Sequence, residues 1–197
     1  ANFHVFSGES NPELAKEVVD LLGVSLGKMH IDRFPDGEIN VQILENVRER
    51  DVFVMQTIAM KPNDYLMELL IIIDALKRAS AKNIVAILPY YGYCRQDRKD
   101  KPRVPITAKL VANLLVSAGA TRIVTMDLHA GQLQGFFDIP VDNLFSRPLM
   151  VEELKKQDIS DLMVVVPDIG SVKLGRQYAN HLHAEMAIID KNRLSPE

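Results

Sequence analysis

Residues 63–90 read NDYLMELLIIIDALKRASAKNIVAILPY, and this stretch decides the fold. Its first part predicts a helix over residues 63–79, because one apolar stripe recurs at helical spacing through Leu66, Leu69, Ile73 and Leu76. Its last part, residues 83–90, is aliphatic at nearly every position, which indicates a strand that is buried on both faces. A helix followed by such a strand is typical of a parallel sheet covered by helices.

The same alternation runs along the rest of the chain. Short runs of β-branched residues predict strands at residues 3–7, 51–57, 83–90, 122–128 and 162–167. Helical spacing predicts helices at residues 11–22, 63–79, 106–118 and 147–156. Strands that alternate with helices in this way predict an α/β fold with a doubly wound, mainly parallel sheet.

One short segment interrupts this alternation. Residues 34–38, Phe-Pro-Asp-Gly-Glu, lie between two segments of alternating polarity at residues 29–33 and 39–43. Asp-Gly is a strong signal for a tight turn between antiparallel strands. We therefore expect a hairpin that projects from the sheet as a flap.

A weak internal echo bears on domain organisation. The leucine spacing of the first helix (14 to 22) recurs in a later segment (174 to 182), each time after a predicted strand. Chance similarity between two strand–loop–helix units is the alternative. If the echo is real, residues 1–145 form one α/β domain and residues 146–197 form the first part of a second, similar domain, which we expect to be truncated.

Composition limits the classes of protein to consider. The 197 residues are 47% apolar and 25% charged, which is ordinary for a globular protein. A formal charge of -3 argues against nucleic acid as a main partner. Cys94 is the only cysteine, so no internal disulfide can form, and a reducing compartment fits. The longest apolar run, residues 69–73, is too short to span a bilayer, so we expect a soluble cytoplasmic protein with no membrane contact.

The common nucleotide-binding motifs are missing from the sequence. No G-x-G-x-x-G occurs, and the P-loop-like residues 23–29 have one residue too few between their glycines. Met29 also stands where that motif needs a hydroxyl side chain. Any nucleotide must therefore be bound by a different arrangement of residues.

The loop at residues 92–105 is the most unusual stretch. It follows a predicted strand and holds five basic and two acidic residues between Arg95 and Arg103. Loops at the carboxyl ends of parallel strands are where α/β sheets bind ligands. The cations could bind phosphate oxygens, while Gln96 and Asp97 could orient a base, a ribose or a hydrated cation. A solvated surface loop is the alternative that composition leaves open.

Three other strand ends carry side chains that could contact phosphates or cations. His129 follows Asp127 by two positions, so both can point to the same side, although a structural histidine is the alternative. Asp168 could contact a sugar hydroxyl or a hydrated cation, or merely cap the next helix. Lys191 and Arg193 could grip a polyphosphate or be ordinary surface charges.

Several of these segments together resemble the ribose-phosphate diphosphokinase family. The flap at residues 34–38 and the run Arg95-Gln96-Asp97 match the family's pattern, as do residues 105–110 and 140–144. Residues 127–137, Asp-Leu-His-Ala-Gly-Gln-Leu-Gln-Gly-Phe-Phe, are similar to the family's diphosphate-transfer signature. The resemblance covers nearly the whole chain.

The resemblance implies a fold and a reaction. The family has two similar phosphoribosyltransferase-type α/β domains in tandem, in homodimers that build a hexamer. Its members transfer the β,γ-diphosphoryl group of Mg-ATP to the anomeric hydroxyl of ribose 5-phosphate, which gives phosphoribosyl diphosphate and AMP. The implied partners are ATP, ribose 5-phosphate and further copies of the chain, and the implied cofactor is Mg²⁺.

The resemblance also assigns roles to residues. ATP would lie between subunits, with Phe34 packed on adenine and Asp36 and Glu38 bonded to it. The loop with Arg95, Gln96 and Asp97 in the neighbouring subunit would also contact ATP. His129 would reach the phosphates and Mg²⁺, and Asp168 would contact the hydrated cation. Lys191 and Arg193 would belong to a mobile catalytic loop.

A regulatory site for phosphate or ADP is a further implication. The matching residues are Arg48, Arg78, Ser80 and Arg103, although Asn46 and Glu49 replace the family's usual Ser and Gly beside Arg48. The family's usual Gly-Gly and basic pair near Asp168 are also altered, to Gly170-Ser171 and Lys173-Leu174.

Two alternatives to the enzyme remain. The acidic segment with which the family binds ribose 5-phosphate has no counterpart in these 197 residues, so the chain by itself is expected to lack that site. A non-catalytic regulatory subunit associated with such an enzyme is one alternative, although the flap and the basic residues are retained. A phosphoribosyltransferase that consumes the product is the other.

Overall fold

The computed structural model describes residues 2–157 and 159–189 and divides the chain into two compact units between Leu144 and Phe145. The first unit contains, in order, β1 (Phe3–Ser7), α1 (Pro12–Leu22), β2 (Met29–Arg33), β3 (Ile39–Ile43), β4 (Asp51–Met55), α2 (Pro62–Arg78), β5 (Asn83–Leu88), α3 (Thr107–Ala118), β6 (Arg122–Met126), a 3-10 helix (Gly131–Phe136) and β7 (Val141–Leu144). The second unit contains α4 (Arg147–Lys155), β8 (Met163–Val166), a 3-10 turn (Ile169–Ser171), α5 (Val172–Leu182) and β9 (Glu185–Ile188).

The first unit is built on a five-stranded sheet in the order β1-β4-β5-β6-β7, in which every pairing is parallel. Successive side chains of a strand point to opposite faces, so each strand feeds two cores. Val52 and Val54 of β4 join the larger core under α2 and α3, whereas Met55 joins a smaller core with Val19 of α1. The predicted doubly wound α/β fold is confirmed.

Helix α1 shows how local sequence sets the element bounds. The side chain of Asn11 accepts a hydrogen bond from the amide of Leu14 at 3.2 Å, and Pro12 occupies the first helical turn. Gly23 ends the helix in the left-handed conformation with φ 66°, which glycine adopts without steric cost. The chain then returns to the sheet edge beside β1.

The flap is a two-stranded antiparallel hairpin outside the main sheet, and its strands have the predicted bounds. Its register runs from Met29 opposite Ile43 to Arg33 opposite Ile39. The turn is closed by the amide of Phe34, which donates to the carbonyl oxygen of Glu38 at 2.9 Å. Apolar side chains of the hairpin pack against the larger core, on α2.

The second unit pairs β8 with β9 in parallel, and α5 packs on both strands. The approach of α5 to β8 is close, because a Cβ placed on Gly175 would lie 2.1 Å from Cγ1 of Val166. Val166 and Ala179 are buried between them. The growth of this unit into a second full domain stays a prediction.

Some elements differ from the sequence prediction. The three central strands end at Met55, Leu88 and Met126, two residues earlier than predicted, because the chain already leaves the regular ladder at Gln56, Pro89 and Asp127. Strand β7 was not predicted, since Val-Asp-Asn-Leu has only two apolar residues and lies at the sheet edge. Within the described residues, no helix is long and apolar enough to cross a membrane.

A glycine just beyond β5 provides a test of how tightly the fold fixes the loop that follows. A Cβ on Gly92 would lie 2.5 Å from the carbonyl oxygen of Ile58, which belongs to the backbone and cannot move alone. The Gly92→Ala variant should therefore lose about 1–3 kcal/mol of unfolding free energy. Urea denaturation measures this loss.

Gly135→Ala is the matched control, because a Cβ there meets nothing within 4 Å and its φ is not positive. That variant should stay within about 0.5 kcal/mol of the parent protein. Equal stability of the two variants would contradict the close packing of Gly92.

Candidate functional site

A cleft of about 550 Å³ opens at the carboxyl ends of β5 and β6. Because these strands are parallel neighbours, the loops that follow them leave the sheet at the same edge. The first loop supplies Arg95, Gln96, Asp97, Arg98, Asp100, Lys101, Val104 and Pro105, and the second supplies His129, Ala130 and Gln132. The structure therefore brings four of the predicted ATP-binding residues, Arg95, Gln96, Asp97 and His129, to one cleft.

Tyr91 holds both walls of the cleft to the core. Its side chain is 3% exposed, and its hydroxyl donates to the carbonyl oxygen of Ala108 at 2.9 Å. Its ring meets that of Phe137, just after the second wall, edge to face at 5.8 Å between centroids. Burial, with a smaller contribution from Cys94, raises the pKa of Tyr91, so the phenol remains a hydrogen-bond donor.

The turn that presents Arg95 and Gln96 is fixed to the start of α3. The amide of Gln96 donates to the carbonyl oxygen of Tyr93 at 3.0 Å, and its own carbonyl oxygen accepts from the amide of Ala108 at 3.1 Å. The side-chain oxygen of Gln96 accepts a hydrogen bond from the hydroxyl of Thr107. These contacts hold the backbone while the side chain of Arg95 remains exposed.

The second wall is tied to β7 and α3. The amide of Asp127 donates to the carbonyl oxygen of Leu144 at 2.8 Å, and the amide of Leu128 donates to the side chain of Asn143 at 3.1 Å. The ammonium group of Lys109 donates to the carbonyl oxygen of Phe136 at 2.6 Å. These hydrogen bonds hold the backbone on either side of His129, and its side chain is exposed in the cleft.

The cleft has the charge pattern of an anion site. Arg95, Arg98 and Lys101 outnumber the two carboxylates of Asp97 and Asp100 in its lining. Within the described part of the chain, none of these three cations forms an ion pair. Their donors therefore remain available for the oxygens of a polyphosphate.

The described residues contain no group of three His, Cys, Asp or Glu side chains that could hold a metal ion. Mg²⁺ often needs no such group, because it keeps several waters and is carried by substrate phosphates with one or two protein contacts. His129 fits a contact to phosphate oxygens, and Asp97 or Asp100 fits a contact to a hydrated cation. The donor set thus suits Mg²⁺ that arrives with a nucleotide.

Asp168 belongs to the second unit, where it caps a helical turn. Its Oδ1 accepts hydrogen bonds from the amide of Ser171 at 2.9 Å and from the hydroxyl of Ser171 at 3.0 Å. This is the structural role that the sequence left open. The cap uses one carboxylate oxygen, which is compatible with a cation contact through the other.

The flap side chains lie outside this cleft. Phe34 is 52% exposed, and Oδ1 of Asp36 accepts from the amide of Glu38 at 3.2 Å. All three side chains are exposed, and none belongs to the cleft lining within one described chain.

The predicted regulatory residues separate into two places. Arg48 and Ser80 come together at the amino ends of β4 and β5, where the amide of Glu49 donates to the carbonyl oxygen of Ser80 at 2.9 Å. Arg78 is close by in sequence, and its hydrogen bond to Asp74 at 2.6 Å raises its pKa. Arg103 lies in the loop that leaves the opposite end of β5.

Glu49, which stands where the family usually has glycine, has a backbone conformation that is unfavourable for glutamate. Its φ is 58°, the left-handed conformation that glycine adopts most easily. The family's usual glycine at this position thus suits the backbone better than the glutamate found here.

Sequence reasoning singled out only part of the cleft. Arg98, Asp100 and Lys101 also line it, and the only sequence signal for them was the density of charge in their loop. Gln132 lines it from the other loop, within the segment 127–137 that resembles the family signature. Lys191 and Arg193 lie outside the described residues, so their predicted contacts stay predictions.

Comparison with known proteins identifies relatives of the chain. Residues 3–119 match the family model for the N-terminal domain of ribose phosphate pyrophosphokinase. The chain is 57% identical over 190 residues to a ribose-phosphate pyrophosphokinase of Burkholderia pseudomallei, which covers 96% of this chain and 60% of the relative. It is 52% identical over 195 residues to the Bacillus subtilis protein of the same name, which covers 99% of this chain and 62% of the relative.

A solved structure shows the same fold. The crystal structure of phosphoribosylpyrophosphate synthetase from Mycobacterium smegmatis superposes with a TM-score of 0.94 at 46% identity, over 98% of this chain and 65% of that one. The chain thus spans about 60% of the length of the curated relatives that it matches.

The cap made by Asp168 leads to a stability prediction. Asp168→Ala removes the acceptor for Ser171 and should cost about 1 kcal/mol of local helix stability, whereas Asp168→Asn can keep the cap. Hydrogen exchange of the first-turn amides of α5 measures the difference. Equal exchange in the two variants would show that the cap contributes nothing.

Proposed function

The chain belongs to the ribose-phosphate pyrophosphokinase family, and on that premise we propose that the complete protein makes phosphoribosyl diphosphate. It transfers the β,γ-diphosphoryl group of ATP to the anomeric hydroxyl of ribose 5-phosphate and releases AMP. The observation that carries the proposal is the cationic cleft that Arg95 and His129 line from the loops after two adjacent parallel strands. Such a cleft suits the oxygens of a polyphosphate.

The roles of the cleft residues follow from their chemistry. Arg95, with Arg98 and Lys101, binds phosphate oxygens and neutralises their charge. Gln96 has its backbone held by hydrogen bonds, so it presents a fixed edge to the ligand. Asp97 contacts the hydrated cation or the ribose of the nucleotide.

The flap supplies the base-binding part from a neighbouring copy. Phe34 packs on the adenine ring, because an exposed aromatic side chain on a hairpin turn has a face free for stacking. Asp36 and Glu38 accept hydrogen bonds from the base. Since the flap does not line the cleft of its own chain, we propose homodimers that assemble into a hexamer.

The reaction itself needs alignment and charge neutralisation more than covalent assistance. The anomeric oxygen of ribose 5-phosphate bonds to the β-phosphorus, the bond from that phosphorus to the α,β-bridging oxygen breaks, and AMP leaves with that oxygen. Mg²⁺, when bound to the phosphates, supplies further neutralisation of the developing charge. His129 holds the phosphates, Asp168 contacts the hydrated cation, and Lys191 and Arg193 stabilise the transferred group.

Ribose 5-phosphate binding, cellular location and regulation are proposed for the complete protein. Ribose 5-phosphate binding is proposed for the complete protein, because its acidic binding segment has no counterpart in these 197 residues. A cytoplasmic location is proposed because the single cysteine, Cys94, is free and buried. A phosphate or ADP site built from Arg48, Arg78, Ser80 and Arg103 would again need two copies, since Arg103 lies at the other end of β5.

A non-catalytic regulatory subunit is the alternative function. Against it stands the intact cleft, because a subunit that binds no substrate has no need of three unpaired cations beside an exposed histidine.

The proposed enzymatic activity is tested by measuring AMP formation. The complete protein should release AMP from ATP only when ribose 5-phosphate and Mg²⁺ are present, and His129→Ala should lower kcat by about a hundredfold. Lys16→Ala is the control and should leave the rate unchanged, because Lys16 pairs with Asp20 on the exposed face of α1 and has no other ion pair among the described residues. Release of AMP without the sugar, or none with it, would contradict the proposal.

The shared site is tested by mixing two inactive variants. Phe34→Ala damages only the flap and His129→Ala only the cleft, so subunit exchange between the two should regenerate some intact sites and restore activity. Native mass spectrometry verifies that mixed oligomers have formed. Mixed oligomers that stay inactive would show that the flap and the cleft of one chain serve the same site.

A further inference from the structure

Glu68 is a buried carboxylate for which the proposed reaction has no use. It lies on α2, is 0% exposed, and belongs to no part of the cleft lining. Its Oε1 accepts hydrogen bonds from the amide of Glu9 at 2.7 Å and from the side chain of Gln56 at 2.8 Å. These contacts fix the carboxylate between α2 and the loop after β1.

The second oxygen of Glu68 points to the flap. Oε2 has no hydrogen bond within the described residues, and Nη2 of Arg33 lies 3.7 Å from it. Nη1 of Arg33 donates to the carboxylate of Glu9 at 3.0 Å. Arg33 is the last residue of β2 and immediately precedes Phe34, so both contacts act on the end of the hairpin that carries the turn.

Burying a carboxylate at this position lowers the stability of the fold, because the charged group loses its hydration. Burial is the largest cause that raises the pKa of Glu68, whereas hydrogen bonds from the backbone amide of Glu9 and from the side chain of Gln56 lower it. The carboxylate side chain of Glu9 raises it further. An apolar side chain on the same face of α2 would avoid this desolvation. The negative charges of Glu9, Glu68 and Asp64 in turn raise the pKa of Arg33, with the hydrogen bond to Glu9 as the largest cause.

Apolar packing alone does not fix the tip of the flap. Ile31, Val41 and Ile43 pack the body of the hairpin against the core, but such contacts are non-directional and allow a small shift along α2. A charged contact at Arg33 has a defined direction and lies one residue from the turn. The buried end of that contact is held by the hydrogen bonds from Glu9 and Gln56, so the reference point is rigid.

We propose that Glu68 is a positioning residue that acts through Arg33 to hold the flap in the orientation in which it reaches the nucleotide of a neighbouring subunit. The inference rests on the proposed function, because it assumes that Phe34, Asp36 and Glu38 bind the base. Glu68 itself touches no substrate. Its effect should therefore appear in the affinity for ATP and should depend on Arg33.

The kinetic test compares Glu68→Gln, Arg33→Met and the double variant in the complete protein. Glu68→Gln keeps the shape of the side chain but places an amide group toward Arg33. Each single variant should raise the KM for ATP by about fivefold or more with a smaller change in kcat, and the double variant should be no worse than the worse single one. Glu17→Gln, on the exposed face of α1, is the matched control and should behave like the parent.

A second measurement reads the flap without any reaction. The amide of Phe34 donates to Glu38 at 2.9 Å and that of Gly37 donates to Phe34 at 2.8 Å, so both report on the turn. Their hydrogen exchange should become faster in Glu68→Gln and at least as fast in Arg33→Met, which also removes the hydrogen bond to Glu9. Thermal unfolding of the same samples shows whether the whole fold has been weakened instead.

The outcomes separate the two proposals. If the parent protein forms no AMP with ribose 5-phosphate, the proposed function fails, and the exchange experiment still decides whether Glu68 positions the flap. Effects of the two single variants that add independently would overturn the inference. So would a Glu68→Gln variant that unfolds more easily but keeps the parent's KM for ATP and its exchange at the turn.

Discussion

The parallel pairing of β5 with β6 is the constraint on which the rest of the candidate site depends. It runs from Val85 opposite Arg122 to Leu88 opposite Thr125, and it brings two distant loops to one edge of the sheet. Without it, Arg95 and His129 would have no reason to share a cleft, because 33 positions separate them in the sequence. The pairing in turn needs helices on both faces, since two-sided burial is what makes an all-parallel sheet stable.

The site combines a firmly held part with an exposed part. The backbone of the cleft is tied down by Tyr91 and by the hydrogen bonds of Gln96, while its cations extend into solvent without partners among the described residues. The flap has apolar packing along its body and charged contacts at Arg33, near its turn. A cleft with a fixed backbone and a flap held by two charged contacts at Arg33 fit the proposed reaction, in which alignment supplies most of the rate.

Much of the fold could be predicted from the sequence, and the reasons are visible in particular residues. The hairpin bounds follow from the Asp-Gly turn and from the polarity alternation beside it, and the fold class follows from the helix and strand within residues 63–90. The predicted end of β5 was two residues too late because Pro89 and Tyr90 continue the apolar pattern where the ladder has already stopped. The individual cleft residues Arg98 and Lys101 could not be separated from ordinary surface charges, since periodicity gives no information about an irregular loop. The contacts between copies that we propose for the flap leave no periodic trace in the sequence of one chain.

The position of the transferred phosphorus tests the proposed chemistry most directly. ATP carrying radioactive phosphorus at the β position is incubated with the complete protein, Mg²⁺ and ribose 5-phosphate, and the products are separated. Diphosphoryl transfer moves the label into phosphoribosyl diphosphate and leaves unlabelled AMP. Label that remains on the nucleotide as ADP would show transfer of the terminal phosphoryl group alone, and it would contradict the reaction proposed for the cleft.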